Sequence, residues 1–391
     1  AMLSVPSSLD EAGAVLGAPF SVRIRKLFMP LLTGNYAIGA LLVFVKTISE
    51  YGTPSTLGRR IGFSVFTTDI HRYATVAPIE FGKSASLASV LVGICLMIWL
   101  LQNYITMRRT YSLVGGKGCA VRYRKLSRPA LAAAIAFIAI VVFFSMLIPL
   151  FSVTISSLIK LRGYGMRAGN YTIANYIKVF TEDTQGVNAL LVSIFLAVSS
   201  ATIAAMLGTI VVTVSRNCGK SMRKTIEGIA LLPEMLPSIV LVLGIMLFYN
   251  SIYKAIPIYG TIWIMVLSYV VLFLPYTVQY VTSSFSQISP SLIAAGRISG
   301  GSPSYVFLHI TLPLISRGIM SGWMMTFIIA FRELVTPSLI APTNTLTVST
   351  YINRQFEQGS VGKGMAMAVI CILFSTVSLL VLNKAILREK H

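Results

Sequence analysis

Polar and apolar residues alternate along this chain in long blocks, not residue by residue. Eight apolar segments stand out, at about 31–49, 82–104, 129–153, 188–213, 228–250, 259–281, 314–338 and 363–384. Each is near the roughly 20 residues that a helix needs to cross a bilayer. Helix is the expected form, because backbone groups in lipid must be satisfied within their own segment. The pattern predicts an all-α integral membrane protein, a polytopic bundle of about eight transmembrane helices.

The connecting segments orient the bundle. Segment 105–128 carries Arg108, Arg109, Lys117, Arg122, Arg124, Lys125 and Arg128 without an acid, and 214–225 carries Arg216, Lys220, Arg223 and Lys224 without one. The tail adds Lys384, Arg388 and Lys390. Eight crossings place all three on one face, which the positive-inside rule makes cytoplasmic. Segment 50–80 sets Arg59, Arg60 and Arg72 against Glu50, Asp69 and Glu80 and falls outside, as does 154–187. Segment 283–312, with Arg297 as its charged residue, falls inside.

Composition agrees with that reading. The chain is 55% hydrophobic and 11% charged, with a mean hydropathy of +0.79, whereas soluble domains carry about 25% charged residues. A net charge of +20 would first suggest nucleic acid, but the basic residues sit in short stretches between apolar runs, and no basic module with aromatics is present. Cys95, Cys119, Cys218 and Cys371 form no CxxC or Cys/His pattern, which argues against structural zinc and a disulfide framework. Residues 1–26 lack the basic patch and apolar core of a signal peptide.

The chain also repeats itself. EAGAVLGAPFSVRIRKLFMPLL at 11–32 lies over AAGRISGGSPSYVFLHITLPLI at 294–315. At one constant offset Gly13 meets Gly296, Gly17 meets Gly300, Pro30 meets Pro313 and Gly39 meets Gly322. Glu50-x-x-Thr53-Pro54 meets Glu333-x-x-Thr336-Pro337, and after small gaps Arg72 meets Arg354 and Gly82-Lys83 meets Gly362-Lys363. Shared apolar composition explains matching Leu, Ile and Val. It does not put a Glu, a Thr-Pro and three Gly in register. The glycines suit sharp turns, and Pro30 and Pro313 read as the start of a new helix. The second copy follows four apolar segments and the first follows none, so the first half is expected to lack about four spans or to find them on another polypeptide. The domain reading is the later part of one half over 1–110, a basic cytoplasmic linker over 111–128, and a complete six-span half over 129–391.

The repeated segment resembles the EAA loop of permeases of binding-protein-dependent ABC importers, in which Glu-Ala-Ala is followed after three residues by Gly and after nine more by Ile-x-Leu-Pro. Here the copies give Glu11-Ala12-Gly13, Gly17 and Leu27-Phe28-Met29-Pro30, then Ala294-Ala295-Gly296, Gly300 and Ile310-Thr311-Leu312-Pro313. The spacing holds in both. Gly replaces the third EAA residue in both, and Ala294 replaces Glu in the second. NYTIANYIKVF at 170–180 resembles the entry to the family's transporter core. TISEYGTP and FRELVTP after the two loops are similar to the fused permeases of the ferric iron importer group.

The resemblance implies a type I importer permease fold in the bacterial inner membrane. It implies a cytoplasmic ABC ATPase dimer and a periplasmic or lipid-anchored substrate-binding protein as partners, and no cofactor held by this chain. ATP would be hydrolysed by the partner, with Ala12, Gly13, Ala295 and Gly296 letting each short helix enter a cleft on it and Glu11 pairing with one of its basic residues. Thiamine and aminoethylphosphonate permeases are related alternatives to ferric iron.

Intramembrane charges are costly and mark functional candidates. They are Glu50, Glu234, Arg332 and Glu333. Glu50 and Glu333 either flank the substrate route, where carboxylate oxygen suits a hard cation, or satisfy a neighbouring helix terminus. Pro233-Glu234-Met235-Leu236-Pro237 reads as a kink or an entry turn. The 16 Met residues read as packing. No GxxxxGK[ST], HExxH or GxSxG is present, so neither a nucleotide loop nor a membrane-embedded enzyme is indicated. A secondary carrier or channel is the competing class; such proteins also duplicate, but need no matched cytoplasmic loop in each half.

Overall fold

The computed structural model describes residues 7–108, 127–181 and 184–388. Nearly all of them are helical. The basic linker expected at 111–128 lies outside the described residues except for Ser127 and Arg128, which open the next helix.

Among the described residues, six helices are long and apolar enough to cross a membrane: Phe81–Gln102, Arg128–Leu158, Thr184–Asn217, Ile262–Ser286, Pro303–Phe331 and Val361–Leu382. Lys220–Met235 and Ser238–Ser251, bent at 104°, reach that length and hydropathy only as a pair, which makes seven if the pair is one broken span. Where the apolar pattern reads a single segment over 228–250, the chain turns at Leu236, which is extended, before Pro237. Pro237 has no N–H to continue the ladder and disfavours helical backbone at the residue before it. The first predicted segment, 31–49, is helix Met29–Ile48. The segment read as 314–338 stops at Phe331, and a separate short helix, Val335–Ile340, takes its last residues.

The described residues fall into two compact units. One gathers those of Ala1–Glu50 and Ser89–Ile148, the other those of Tyr51–Ala88 and Pro149–His391. In the second unit Thr184–Asn217, Ile262–Ser286 and Leu312–Phe331 pack on one another. Small residues let their backbones approach closely: Ala197, Ala201, Ala204 and Ala205 are buried. A Cβ at Gly208 would lie 2.8 Å from Thr277 Cγ2, and one at Gly322 would lie 3.0 Å from Thr277 Cα. This is how helices associate where lipid removes the hydrophobic drive between them. At one end Val212, Ala230, Val278, Val281, Phe285 and Ile315 close the core. His71 Nε2 donates to the Ser338 carbonyl at 3.2 Å, tying residues of the two repeat copies together.

The repeat extends to the secondary structure. Ser7–Val15, Phe20–Arg23, a π-turn at Ile24–Phe28, Met29–Ile48 and Gly52–Leu57 recur as Pro290–Ile298, Pro303–Val306, a π-turn at Phe307–Thr311, Leu312–Phe331 and Val335–Ile340. Pro30 and Pro313 therefore do not start new helices. Phe28 and Thr311 before them hold helical backbone, and the helix runs through. A third π-turn, Phe143–Leu147, ends two residues before Pro149, the same relation as Phe28 to Pro30 and Thr311 to Pro313. A helix-interior proline loses one N–H donor and clashes with the carbonyl four residues back. Widening the preceding turn to π spacing gives that carbonyl room.

Candidate functional site

The glycine spacing of the repeated loop has a structural cause. Helix Pro290–Ile298 ends with Gly300 at φ 85°. Gly300 N donates to Arg297 O at 3.0 Å and Gly301 N to Gly296 O at 3.1 Å. In the first copy Gly17 has φ 75°, its N–H reaches Ala14 O at 3.0 Å, and Ala18 N reaches Gly13 O at 3.0 Å. Both are Schellman closures, with the left-handed position filled by the residue type that adopts it without a Cβ penalty. Gly-x-x-x-Gly thus marks the first and last carbonyl-to-cap positions of a deliberate helix stop.

Gly13 and Gly296 do a second job. A Cβ at Gly296 would sit 2.6 Å from Ile310 Cδ1 and 3.3 Å from Val306 Cγ2, and one at Gly13 would sit 3.0 Å from Arg23 Cδ. Each short helix therefore folds back onto the helix that follows it, through its glycine. The outward face is different. Glu11, Ala12, Ala294 and Ala295 are exposed, and Val15 and Ile298, which occupy the same repeat position, are each 87% exposed.

Of the four charges read as intramembrane, Glu50 follows the end of Met29–Ile48 and Arg332 and Glu333 follow the end of Pro303–Phe331, and three of the four lie within electrostatic range of one tyrosine. Gln279 Nε2 donates to Glu234 Oε2 in a short bond. Glu234 sits one residue before the end of helix Lys220–Met235, at the 104° break. Tyr276, one turn from Gln279, lies within electrostatic reach of Glu234, Glu333 and Arg332, and the fully buried Tyr269 lies within reach of Glu333. Glu333 Oε1 accepts from Val335 N at 3.1 Å and Thr336 N at 3.4 Å, so the carboxylate caps the start of Val335–Ile340. Arg332 is exposed, and its carbonyl accepts from Ser349 Oγ at 2.9 Å. Glu50, exposed, belongs to the other compact unit and precedes Gly52–Leu57 as Glu333 precedes Val335–Ile340. Sequence reasoning missed Gln279 and Tyr276. A Gln within an apolar segment was the available signal. Among the described residues no group of three His, Cys, Asp or Glu is placed to hold a metal ion.

The cap gives a direct test of Glu333. Glu333→Ala should lower stability by about 1 kcal/mol, the usual cost of a lost N-terminal cap. Glu333→Gln keeps an acceptor oxygen and should stay near wild type. Thermal melting of the detergent-extracted protein reads both, and equal losses in the two variants would contradict the cap.

Residues 201–389 match the family described as binding-protein-dependent transport system inner membrane component. The ferric transport system permease protein FbpB of Actinobacillus pleuropneumoniae is 23% identical over 386 residues, covering 95% of this chain and 53% of that protein. The putative 2-aminoethylphosphonate transport system permease protein PhnV of Salmonella typhimurium is 24% identical over 255 residues, covering 65% of this chain and 94% of that protein. Among solved structures, a bacterial ABC transporter involved in the import of the acidic polysaccharide alginate aligns with a TM-score of 0.51 at 15% identity, over 66% of this chain and 95% of its own. That last likeness concerns the fold. The chain spans about half the length of the ferric permease it matches. Six or seven candidate spans among the described residues, with the match over residues 201–389, make the chain a multi-pass inner-membrane protein that is similar to permeases of binding-protein-dependent ABC importers.

Proposed function

We propose that this chain forms part of the translocation path of an ATP-driven importer and couples it to a cytoplasmic ABC ATPase dimer through its two short exposed helices. The carrying observation is the duplicated helix stop. Two copies, each closed by a glycine at positive φ, each present an apolar residue at the same outward position. A carrier driven by an ion gradient has no use for two such faces. Glu11 adds a carboxylate in the first copy that Ala294 does not supply in the second, so the two coupling contacts are unequal. A periplasmic or lipid-anchored binding protein delivers the solute, and the intramembrane group Glu234, Gln279, Tyr276, Arg332 and Glu333 lines the route.

Ferric iron is the substrate we propose, on the strength of the ferric permease relative. A second reading, a small aminophosphonate, is supported by the phosphonate permease relative. Membranes carrying the chain with its ATPase and binding protein should take up radiolabelled solute only with ATP. Uptake driven by an ion gradient without nucleotide would overturn the importer reading, and competition between ferric iron and aminoethylphosphonate would choose the substrate.

A further inference from the structure

A groove of about 600 Å³ runs between the helices Thr184–Asn217 and Pro303–Phe331, both in the second compact unit. That volume is in the range of small-molecule sites, about 300–1,000 Å³. Its lining extends along the first helix from Thr202 to Val214. At about 1.5 Å of rise per residue this is about 18 Å, close to one leaflet of a hydrocarbon core about 30 Å thick. The opposite wall includes Phe307, Leu312, Ile319 and Trp323. Phe307 opens the π-turn and Leu312 follows it. A π-turn takes side chains out of α-helical register, which interrupts ridge-into-groove packing between the two helices.

The wall is apolar even where polar residues form it. Thr202, Thr209, Thr213 and Trp323 line the groove, and each turns its hydrogen inward. Trp323 Nε1 donates to Thr202 Oγ1 at 3.1 Å, and Thr202 Oγ1 donates to the Val198 carbonyl at 2.7 Å. Thr209 and Thr213 donate to the carbonyls of Ala205 and Thr209, each at 2.7 Å. Hydrocarbon is what faces the groove, and an apolar cavity does not hold water. Met206, Ile210 and Val214 are exposed along its rim, so it opens toward the bilayer. A whole helix, about 10–12 Å across, would need roughly 1,400 Å³ or more over that length. A single acyl chain is far slimmer.

The end of the groove nearest Val214 is basic. Arg216 follows Thr209 by about two turns and shares its helix face. Its guanidinium stands 5.8 Å from the Phe285 ring centroid. Phe285 belongs to the core cluster on which Leu312 and Ile319 of the groove also pack, so groove and guanidinium adjoin the same cluster. One terminal nitrogen donates to the Thr282 carbonyl at 3.3 Å. Arg216 Nε and Thr282 Oγ1 are buried and have no hydrogen-bond partner among the described residues. The Glu227 carboxylate accepts from Arg223 Nε at 2.9 Å and from Ser215 Oγ at 3.3 Å, and Arg216 makes no ion pair among the described residues. Lys220 and Lys224 are exposed on the helix that follows. A basic end beside an apolar wall between spans suits an anionic headgroup.

We propose that this groove holds one acyl chain of an anionic phospholipid, with the phosphate against Arg216. The inference needs the membrane-spanning reading and not the importer one. The test is native mass spectrometry of the full chain, extracted in detergent, stripped of lipid and titrated with phosphatidylglycerol or with phosphatidylcholine of the same acyl chains. The first phosphatidylglycerol should bind about fivefold or more tighter than the first phosphatidylcholine, the effect of one basic group at a membrane surface. Arg216→Gln should remove that preference, and Arg216→Lys should keep most of it. Ile210→Trp, which fills the groove from an exposed position, should weaken both lipids fivefold or more with the melting temperature unchanged. Equal binding of the two lipids, a preference that survives Arg216→Gln, or unchanged binding in Ile210→Trp would overturn the proposal. So would a lipid-free dimer in the same spectra that Ile210→Trp dissociates, since a second copy would then occupy the groove.

Discussion

Gly322→Leu is expected to leave little folded protein, while Gly39→Leu, at the matching repeat position, is expected to change almost nothing. A Cβ at Gly322 would lie 3.0 Å from Thr277 Cα and 3.4 Å from Tyr280 Cβ. The first of these is backbone, so it cannot rotate aside. Gly318, one turn earlier, is as constrained: a Cβ there would lie 2.7 Å from Ser284 Cβ and 3.0 Å from the Tyr280 carbonyl. Overpacking a filled core costs about 1–3 kcal/mol, and separating Leu312–Phe331 from Ile262–Ser286 would also open the Thr277–Thr326 hydroxyl contact. At Gly39 nothing lies within 4 Å of a Cβ. Yield and melting temperature in detergent read the pair. Equal behaviour of the two variants would mean that this close approach does not hold the core.

Ile298→Glu is expected to cut ATPase association tenfold or more and to abolish uptake, with the melting temperature unchanged. Ile298 is 87% exposed, so its side chain contributes little to packing within the chain. An apolar anchor buried by a partner is worth about 2 kcal/mol or more when truncated, and a carboxylate there adds a desolvation penalty. Val15→Glu, at the matching position and equally exposed, is expected to act in the same direction. Copurification of the ATPase with the extracted chain, alongside a melt, separates lost docking from lost folding. Unchanged association in the double variant would remove these helices from the coupling interface.

The repeated loop shows where reading and structure part. The pairs Gly13/Gly17 and Gly296/Gly300 are visible as a spacing, and the conformational freedom of glycine makes Gly17 and Gly300 legible as turn residues. The inward use of Gly13 and Gly296 was not legible, because it depends on Arg23 and Ile310 arriving from the next helix. Pro30 and Pro313 mislead for a related reason. A proline two residues past a possible π-turn looks the same in sequence as one at a helix start, and only the continuity of the helix tells them apart.

Glu333 had two readings, path residue or helix cap. Its bonds to Val335 N and Thr336 N establish the cap. They leave its place beside Tyr276 intact.

What the sequence determined by itself is whatever is enforced locally or by lipid. Backbone satisfaction dictates helices, apolar run length dictates their approximate positions, and identical residues at a fixed offset dictate the repeat. What only the tertiary structure decided depends on residues distant in the chain meeting: the 104° break beside which Glu234 meets Gln279, and the placing of Glu234, Arg332 and Glu333 within electrostatic range of Tyr276. Local propensity acts over a few residues, whereas these sites arise from close packing of helices whose small residues set how near they come.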